Sequence, residues 1–130
     1  MLSLFMAPHR GTIRVALSVA VNCRQQILLK IIQMEKLALL ARVEAKPGKE
    51  QQVADFLKSA LPLAEAETGT VRWYALQLGP STFGIFDTFA DVGGRDAHLG
   101  GEIAKALMAH MDELLTAPPV IEKVELLAVK

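Results

Sequence analysis

The sequence predicts an α+β domain whose four strands and two helices follow one another in the order β-α-β-β-α-β. Two observations support this prediction. Strand-like segments give way twice to apolar residues at three- and four-residue steps, and clusters of turn-forming residues separate the segments. The chain has 130 residues, of which 52% are hydrophobic, so it can bury one core but has little length to spare.

The first half of the pattern is a strand followed by a helix. Leu37 to Ala45 is the strand candidate, and it ends at the turn cluster Lys46-Pro47-Gly48-Lys49. From Val53 to Ala64, apolar residues recur with the spacing of an amphipathic helix. Pro62 lies inside this helix, removes a donor and crowds the carbonyl four residues before it. We therefore expect a kink or break near residues 58–61.

A hairpin follows, and it has the chain's single Trp and single Tyr side by side. Its strands are predicted at Val71–Gly79 and Thr82–Phe89, with Pro80 and Ser81 in the turn. Trp73 and Tyr74 point to opposite faces if the strand is regular. The hairpin thus gives each face of the sheet one large aromatic residue.

The remaining chain completes the pattern. The Gly-rich segment Asp91–Gly101 is expected to hold a short helix or a loop. Glu102 to Leu115 has the apolar seam of a helix that ends before Pro118 and Pro119, and Val120–Val129 alternates as a last strand. The whole order is that of a ferredoxin-like fold with an antiparallel sheet.

Both faces of the predicted sheet are largely apolar. Two helices can cover only one of them, whereas an antiparallel sheet that faces water normally alternates apolar and polar residues. We therefore expect a symmetric homodimer in which two sheets pack face to face. The alternative is a monomer with an apolar patch that invites aggregation.

Charge and missing motifs exclude several functions. Residues 1–34 carry four basic and no acidic residues (+4), whereas residues 35–130 carry ten basic and fourteen acidic ones (−4). A mildly acidic domain argues against nucleic-acid binding. The sequence has no GxGxxG, Walker, HExxH or CxxC motif, which leaves a Rossmann-type flavin, a nucleotide and a structural zinc without support. Cys23 is the single cysteine, so no internal disulfide can form.

Residues 1–34 form an N-terminal extension to a predicted domain at residues 35–130. Three interpretations remain open: translation starts at Met34, the extension is a signal or transit segment, or it is an ordered accessory helix. Val15–Val21 is apolar and follows basic residues, but it is short and lacks a clean cleavage site. No run approaches the length of a membrane span, and we expect a cytoplasmic protein without a membrane partner.

His98 is the most reactive-looking residue of the domain. An unperturbed pKa near 6.5 would suit a base that takes a proton from a phenol or an enol. The alternative is an exposed or capping histidine, and His110 is expected at the surface. Asp87 stands in an apolar strand, where it could orient a base or pair with Arg72 across the hairpin.

Substrate-binding candidates come from the hairpin. Trp73 or Tyr74 could stack on a planar substrate, and the Tyr74 hydroxyl could donate a hydrogen bond. Core packing is the alternative for both. Arg72 and Phe83 complete the set of predicted substrate-binding residues, and no metal ligands are predicted.

Short motifs resemble the antibiotic biosynthesis monooxygenase (ABM) domain. They are Gly69-Thr70 before the second strand, the P-x-x-F turn from Pro80 to Phe83, and the A-H-L sequence from Ala97 to Leu99. The resemblance covers about residues 36–128 and is closest to small quinol monooxygenase-like members. It implies a dimeric α/β barrel that oxidises an aromatic quinol or phenol with O2 and needs no cofactor.

In that chemistry the deprotonated substrate is itself the electron-rich species that reduces oxygen. The resemblance then implies His98 as base, Asp87 or Arg72 as orienting group, and Trp73 or Tyr74 in the pocket wall. Two other readings remain: a non-catalytic binding or stress-associated protein of the same fold, and an isomerase- or decarboxylase-like enzyme. Where many family members have E-x-W, this chain has Asp87-Thr88-Phe89. Heme-degrading members use that Trp and an Asn on strand one, so Phe89 and Ala41 disfavour heme degradation.

Overall fold

The computed structural model describes residues 24–25 and 34–130. Its elements, in chain order, are β1 (Leu37–Glu44), α1 (Glu50–Ser59), α2 (Leu61–Ala66), β2 (Thr70–Gln77), β3 (Thr82–Phe89), α3 (Val92–Leu99), α4 (Glu102–Leu114) and β4 (Val120–Glu125). In the part described, no helix is both long and apolar enough to cross a membrane. The predicted extension at residues 1–34 lies almost entirely outside this part and stays a prediction.

The four strands form one antiparallel sheet in the order β2-β3-β1-β4. The ferredoxin-like fold predicted from the sequence is therefore confirmed. β2 and β3 form the predicted hairpin, and its turn is closed by the backbone N–H groups of Leu78 and Gly79. Both donate to the carbonyl of Thr82, at 2.8 and 3.1 Å.

Pro62 breaks the first helix where the sequence predicts a break. α1 ends at Ser59 and α2 begins at Leu61, which puts Pro62 in the first turn of the new helix. A first-turn backbone N–H has no partner within its own helix, so the missing proline donor costs little there.

Of the two alternatives for the Gly-rich segment, the structure has the short helix, α3. Asp91 caps it, since the Gly94 N–H donates to Oδ1 of Asp91 at 2.8 Å. The last strand is shorter than predicted, since β4 ends at Glu125. Leu127 beyond it is 98% exposed.

The helices pack on one face of the sheet. Val43 and Phe83 on that face form the main core with residues of α1 and α4 such as Leu57 and Leu107. The alternate residues point the other way, and we call that side the open face. Its apolar members in the three strands β1–β3 include Leu40, Tyr74, Leu76 and Phe86. The apolar character of both faces, expected from the sequence, is thus present in the fold.

Candidate active site

The imidazole of His98 lies between two carboxylates. Its Nδ1 is 2.6 Å from Oε2 of Glu67, and its Nε2 is 2.8 Å from Oδ2 of Asp87. A carboxylate can only accept hydrogen bonds, so both ring nitrogens must donate, and the ring is an imidazolium. The His98 side chain is 8% exposed and packs against the ring of Phe89, with centroids 5.4 Å apart.

Three separate elements bring these side chains together. Glu67 follows α2, Asp87 lies on β3, and His98 lies near the end of α3. The approach of α3 depends on two glycines. A Cβ on Gly94 would lie 2.7 Å from the carbonyl oxygen of Gly69, and one on Gly69 would lie 2.8 Å from Cα of Gly94. Side chains at these positions would push α3 away from the segment that carries Glu67.

The two carboxylates determine the charge of His98. Burial by itself lowers the pKa of the ring, but hydrogen bonds to Asp87 and Glu67, together with their negative charges, outweigh burial and raise the pKa from 6.5 to about 9. The pKa near 6.5 expected from the sequence is therefore wrong. His98 is a cation at neutral pH, and with two carboxylates around it the cluster has a net charge of −1.

Asp87 has one oxygen to spare. Its side chain is 1% exposed, and while Oδ2 accepts from His98, Oδ1 has no hydrogen-bond partner among the described residues. A buried acceptor without a partner costs free energy, on the order of 1–3 kcal/mol. Such an atom marks a place where a bound molecule or a water can donate a hydrogen bond.

Asp87 and His98 line a cavity of about 280 Å³ between the sheet and the helices. Among the described residues that line it, these two are the polar ones, and the others are apolar: Leu39, Ala41, Ile85, Leu99, Ile103, Ala104, Leu107, Met108 and Ile121. An apolar pocket with one or two polar groups is typical of small-molecule sites. This cavity is therefore the candidate active site.

The cluster does not have the shape of a metal site. Each nitrogen of His98 is directed at a carboxylate, so the three side chains do not converge on one point. In the part of the chain that the structure describes, no group of three or more His, Cys, Asp or Glu residues is placed to hold a metal ion.

The structure brings together two of the six predicted site residues, His98 and Asp87. Trp73 is on the same sheet face, but it packs in the core against Ala60, Ala64 and Ile103 rather than lining the cavity. Phe83 is buried in the main core and borders a different groove, between α1 and β2.

Arg72 and Tyr74 lie on the open face, away from the cavity. Arg72 forms its ion pair with Glu35, and Tyr74 stacks on Phe86 with ring centroids 6.4 Å apart. The predicted pairing of Asp87 with Arg72 is therefore wrong, because neighbouring strands place the two side chains on opposite faces.

Sequence reasoning missed Glu67. It is the acid just before the Thr68-Gly69-Thr70 segment, and the Thr70 hydroxyl also donates to its Oε2 at 2.6 Å. An acid next to a turn is common, and its contact with a histidine 31 positions later leaves no local pattern in the sequence.

One solved structure is closely related to this chain. A protein of unknown function from Nitrosomonas europaea, NE2512, is 66% identical over 75% of this chain and 95% of its own, with a TM-score of 0.74. The chain belongs to the NE2512 family. No protein-family model and no curated protein matches it.

More distant structures share the fold of the NE2512 family. PA3566 from Pseudomonas aeruginosa is 20% identical over 74% of this chain and 98% of its own, with a TM-score of 0.64. A second Nitrosomonas europaea protein, named as a candidate antibiotic biosynthesis monooxygenase, is 14% identical over 71% of this chain and 99% of its own, also with a TM-score of 0.64. The ABM-like fold expected from the sequence motifs is thereby confirmed.

Proposed function

We propose that the protein is a cofactor-independent monooxygenase that oxidises a small aromatic phenol or quinol with O2. The observation that carries this proposal is the apolar cavity lined by the cationic His98 and by Asp87, whose buried Oδ1 has no hydrogen-bond partner among the described residues. The ABM-like fold supports the reaction class only by analogy, because one fold serves many functions.

In this proposal Asp87 is the proton acceptor. Its Oδ1 takes the hydroxyl proton of the substrate and then donates it in a hydrogen bond to the resulting anion, with the positive charge of His98 beside the pair. The transfer leaves the net charge of the cluster plus substrate unchanged, whereas a ligand that arrives as an anion brings an additional charge. The anion gives one electron to O2, and the two radicals combine at a ring carbon that carries hydrogen. The peroxide anion takes the proton back from Asp87, and loss of water from the resulting hydroperoxide converts that C–H into C=O. One oxygen atom stays in the product and the other leaves as water, so no external reductant is needed.

The roles of His98 and Asp87 thus differ from those expected from the sequence. His98 was the expected base, but both of its nitrogens already donate to carboxylates, and its pKa of about 9 keeps it protonated. We assign it the electrostatic role and give the proton transfer to Asp87. Substrate binding by Trp73, Tyr74, Arg72 and Phe83 stays a prediction without support from their positions.

The homodimer is part of the same proposal. The open face presents apolar side chains to solvent, among them Tyr74, 44% exposed, and Val120, 59% exposed. A second copy placed sheet against sheet would bury them and enclose both sheets between outer helices.

Oxygen uptake tests the proposed reaction. We expect the purified, metal-free chain to consume O2 with a hydroquinone or an anthrone, above the rate of autoxidation. His98→Gln should lower kcat/KM by about 100-fold or more, the range of a lost electrostatic contact in a transition state. His110→Gln is the matched control and should keep the native rate, since His110 is exposed and packs on Phe56 instead. Equal rates in the two variants would contradict the assignment of His98.

A non-catalytic binding protein is the second candidate. The observation in its favour is that His98 has no free nitrogen to take part in proton transfer. This candidate predicts that an aromatic ligand binds in the cavity while O2 consumption stays at the level of autoxidation with every compound.

A further inference from the structure

We infer that the cavity selects its ligand in the un-ionised form: an apolar molecule of one or two rings that offers a single hydroxyl hydrogen to Oδ1 of Asp87 and carries no charge at that end. The inference rests on the proposed function only in taking this cavity as the ligand site. It adds a rule for which ligands are accepted.

Donors and acceptors are unequal in number at the polar end of the cavity. Oδ1 of Asp87 is an acceptor without a partner among the described residues, so a ligand donor would remove its unsatisfied state. Both N–H groups of His98 are already donated to Glu67 and Asp87. Among the described side chains that line it, the cavity therefore has one acceptor without a partner and no free donor.

Charge also restricts the ligand. An anionic group placed at this end would meet the carboxylate of Asp87 and a cluster of net charge −1, with no donor to stabilise it. An ammonium group would be attracted by the negative charge, but it has three N–H donors and only one acceptor to bind. Its other two donors would face apolar side chains such as Leu39, Ile85 and Ile103 and stay without a partner. A neutral hydroxyl has one donor and matches the site.

Size and access restrict the ligand further. A volume of about 280 Å³ is just below the roughly 300–1,000 Å³ of pockets for drug-sized ligands, which favours one ring or two fused rings. Met108 on α4 and Ile121 on β4 line the cavity and are 56% and 47% exposed. The cavity therefore reaches the surface between these two apolar side chains, and its entrance suits an uncharged molecule.

Binding of a matched ligand series without oxygen tests the inference. The probes are 1-naphthol, 1-methoxynaphthalene, 1-naphthoate and 1-naphthylmethylammonium, titrated calorimetrically into the native full chain at neutral pH under anaerobic conditions. We expect 1-naphthol to bind at least about ten-fold more tightly than its methyl ether, the value of one hydrogen bond to a charged acceptor. The naphthoate and the ammonium compound should both bind more weakly than the methyl ether.

Variants test whether the preference for 1-naphthol depends on Oδ1 of Asp87 and whether the ligand binds in this cavity. Asp87→Asn should abolish the advantage of 1-naphthol, because an amide whose oxygen stays on His98 presents an N–H to the ligand. Asp55→Asn, an exposed acid on α1, is the control and should change nothing. Ile121→Trp should weaken binding of both neutral ligands by filling the entrance, whereas Leu61→Trp, at an exposed position on α2, should not.

The inference is overturned if 1-naphthol and its methyl ether bind the native chain equally, or if the naphthoate or the ammonium compound binds more tightly than 1-naphthol. These comparisons need no variant, so they decide the matter even if Asp87→Asn does not fold. Failure of the proposed reaction is separate. A preference for 1-naphthol without O2 uptake by any phenol would support the ligand rule and contradict the monooxygenase.

Discussion

The two faces of the sheet are built from alternating residues of the same strands, yet they differ in what they bury. On the helix-covered face, Asp87 is 1% exposed and holds a buried imidazolium beside a cavity. On the open face, one residue before Asp87 in the chain, Phe86 stacks with the half-exposed Tyr74. Both faces are largely apolar, and the open face also buries a hydroxyl without a partner among the described residues, that of Thr88. Of the described strand residues, the charged one with an unused hydrogen-bonding atom is Asp87, on the helix-covered face.

This difference shows that apolar character alone does not locate a site. An apolar surface is completed by any matching apolar surface, whereas a buried carboxylate oxygen without a partner needs one particular kind of neighbour. We therefore assign ligand chemistry to the helix-covered face and association to the open face. Variants on the two faces test that division.

Removal of the buried cation should have the largest effect. His98→Ala leaves Asp87 and Glu67 without the charge between them, and breaking a buried ion pair typically costs about 3–5 kcal/mol. We expect a loss of that order in the free energy of unfolding, measured by urea denaturation. His110→Ala, at an exposed position, should cost less than about 1 kcal/mol. Similar losses in both variants would contradict the presence of a buried imidazolium held by two carboxylates.

The same cluster should make stability depend on pH. Because the pKa of His98 is raised from 6.5 to about 9 in the folded protein, its contribution is complete below pH 6.5 and is lost as pH rises through 9. The unfolding free energy of the native chain should therefore fall between pH 6.5 and 9. The fall should be smaller than the loss caused by His98→Ala, because a neutral His98 ring still donates one hydrogen bond. His98→Gln should lack this fall, and an unchanged pH profile in that variant would refute the explanation.

Gly94→Ala tests whether the glycine contact builds the site. The added Cβ would lie 2.7 Å from the Gly69 carbonyl, and such overpacking typically costs about 1–3 kcal/mol. The pKa of His98 should fall at the same time, because α3 moves away from Glu67. Gly93→Ala, one residue earlier, meets only Asp91 Oδ1 at 3.4 Å and should keep both properties. If Gly94→Ala retains the native pKa, the contact does not position His98.

Tyr74→Glu should have the smallest effect and acts on the open face alone. A charge in the proposed sheet-to-sheet interface should raise the dimer dissociation constant about ten-fold, or about 1.4 kcal/mol. Sedimentation equilibrium measures it, with Leu61→Glu on α2 as the control. A native chain that is monomeric at micromolar concentration would contradict the dimer, and a loss of ligand binding in Tyr74→Glu would contradict the separation of the two faces.

Local patterns in the sequence predicted much of the fold. Strand segments, turn residues and helical periodicity predicted the element order, and the proline geometry at Pro62 predicted the break between α1 and α2. The alternation in the hairpin correctly put Trp73 and Tyr74 on opposite faces. The predicted end of β4 was wrong by four residues. Apolar residues continue after Glu125, but the pairing of β4 with β1 ends there, opposite Leu37.

The site was only partly predictable. Asp87 stood out because it is an acid in an apolar strand, and His98 because it is a titratable ring in the Gly-rich segment after the third strand. Glu67 did not, since its contact with His98 depends on the approach of Gly69 and Gly94, which no local pattern shows. The raised pKa of His98 depends in part on that same contact. The sequence therefore could not show that His98 is a cation rather than the expected base.

A pH titration of His98 by NMR tests the central claim most directly. The account predicts that the ring carbon resonances of His98 titrate near pH 9, because the carboxylates of Asp87 and Glu67 hold the proton on the ring. A titration of His98 near pH 6.5 would contradict the account. His98 would then be neutral at neutral pH and could act as a base. The assignment of charge stabilisation to His98 and of proton transfer to Asp87 would be wrong.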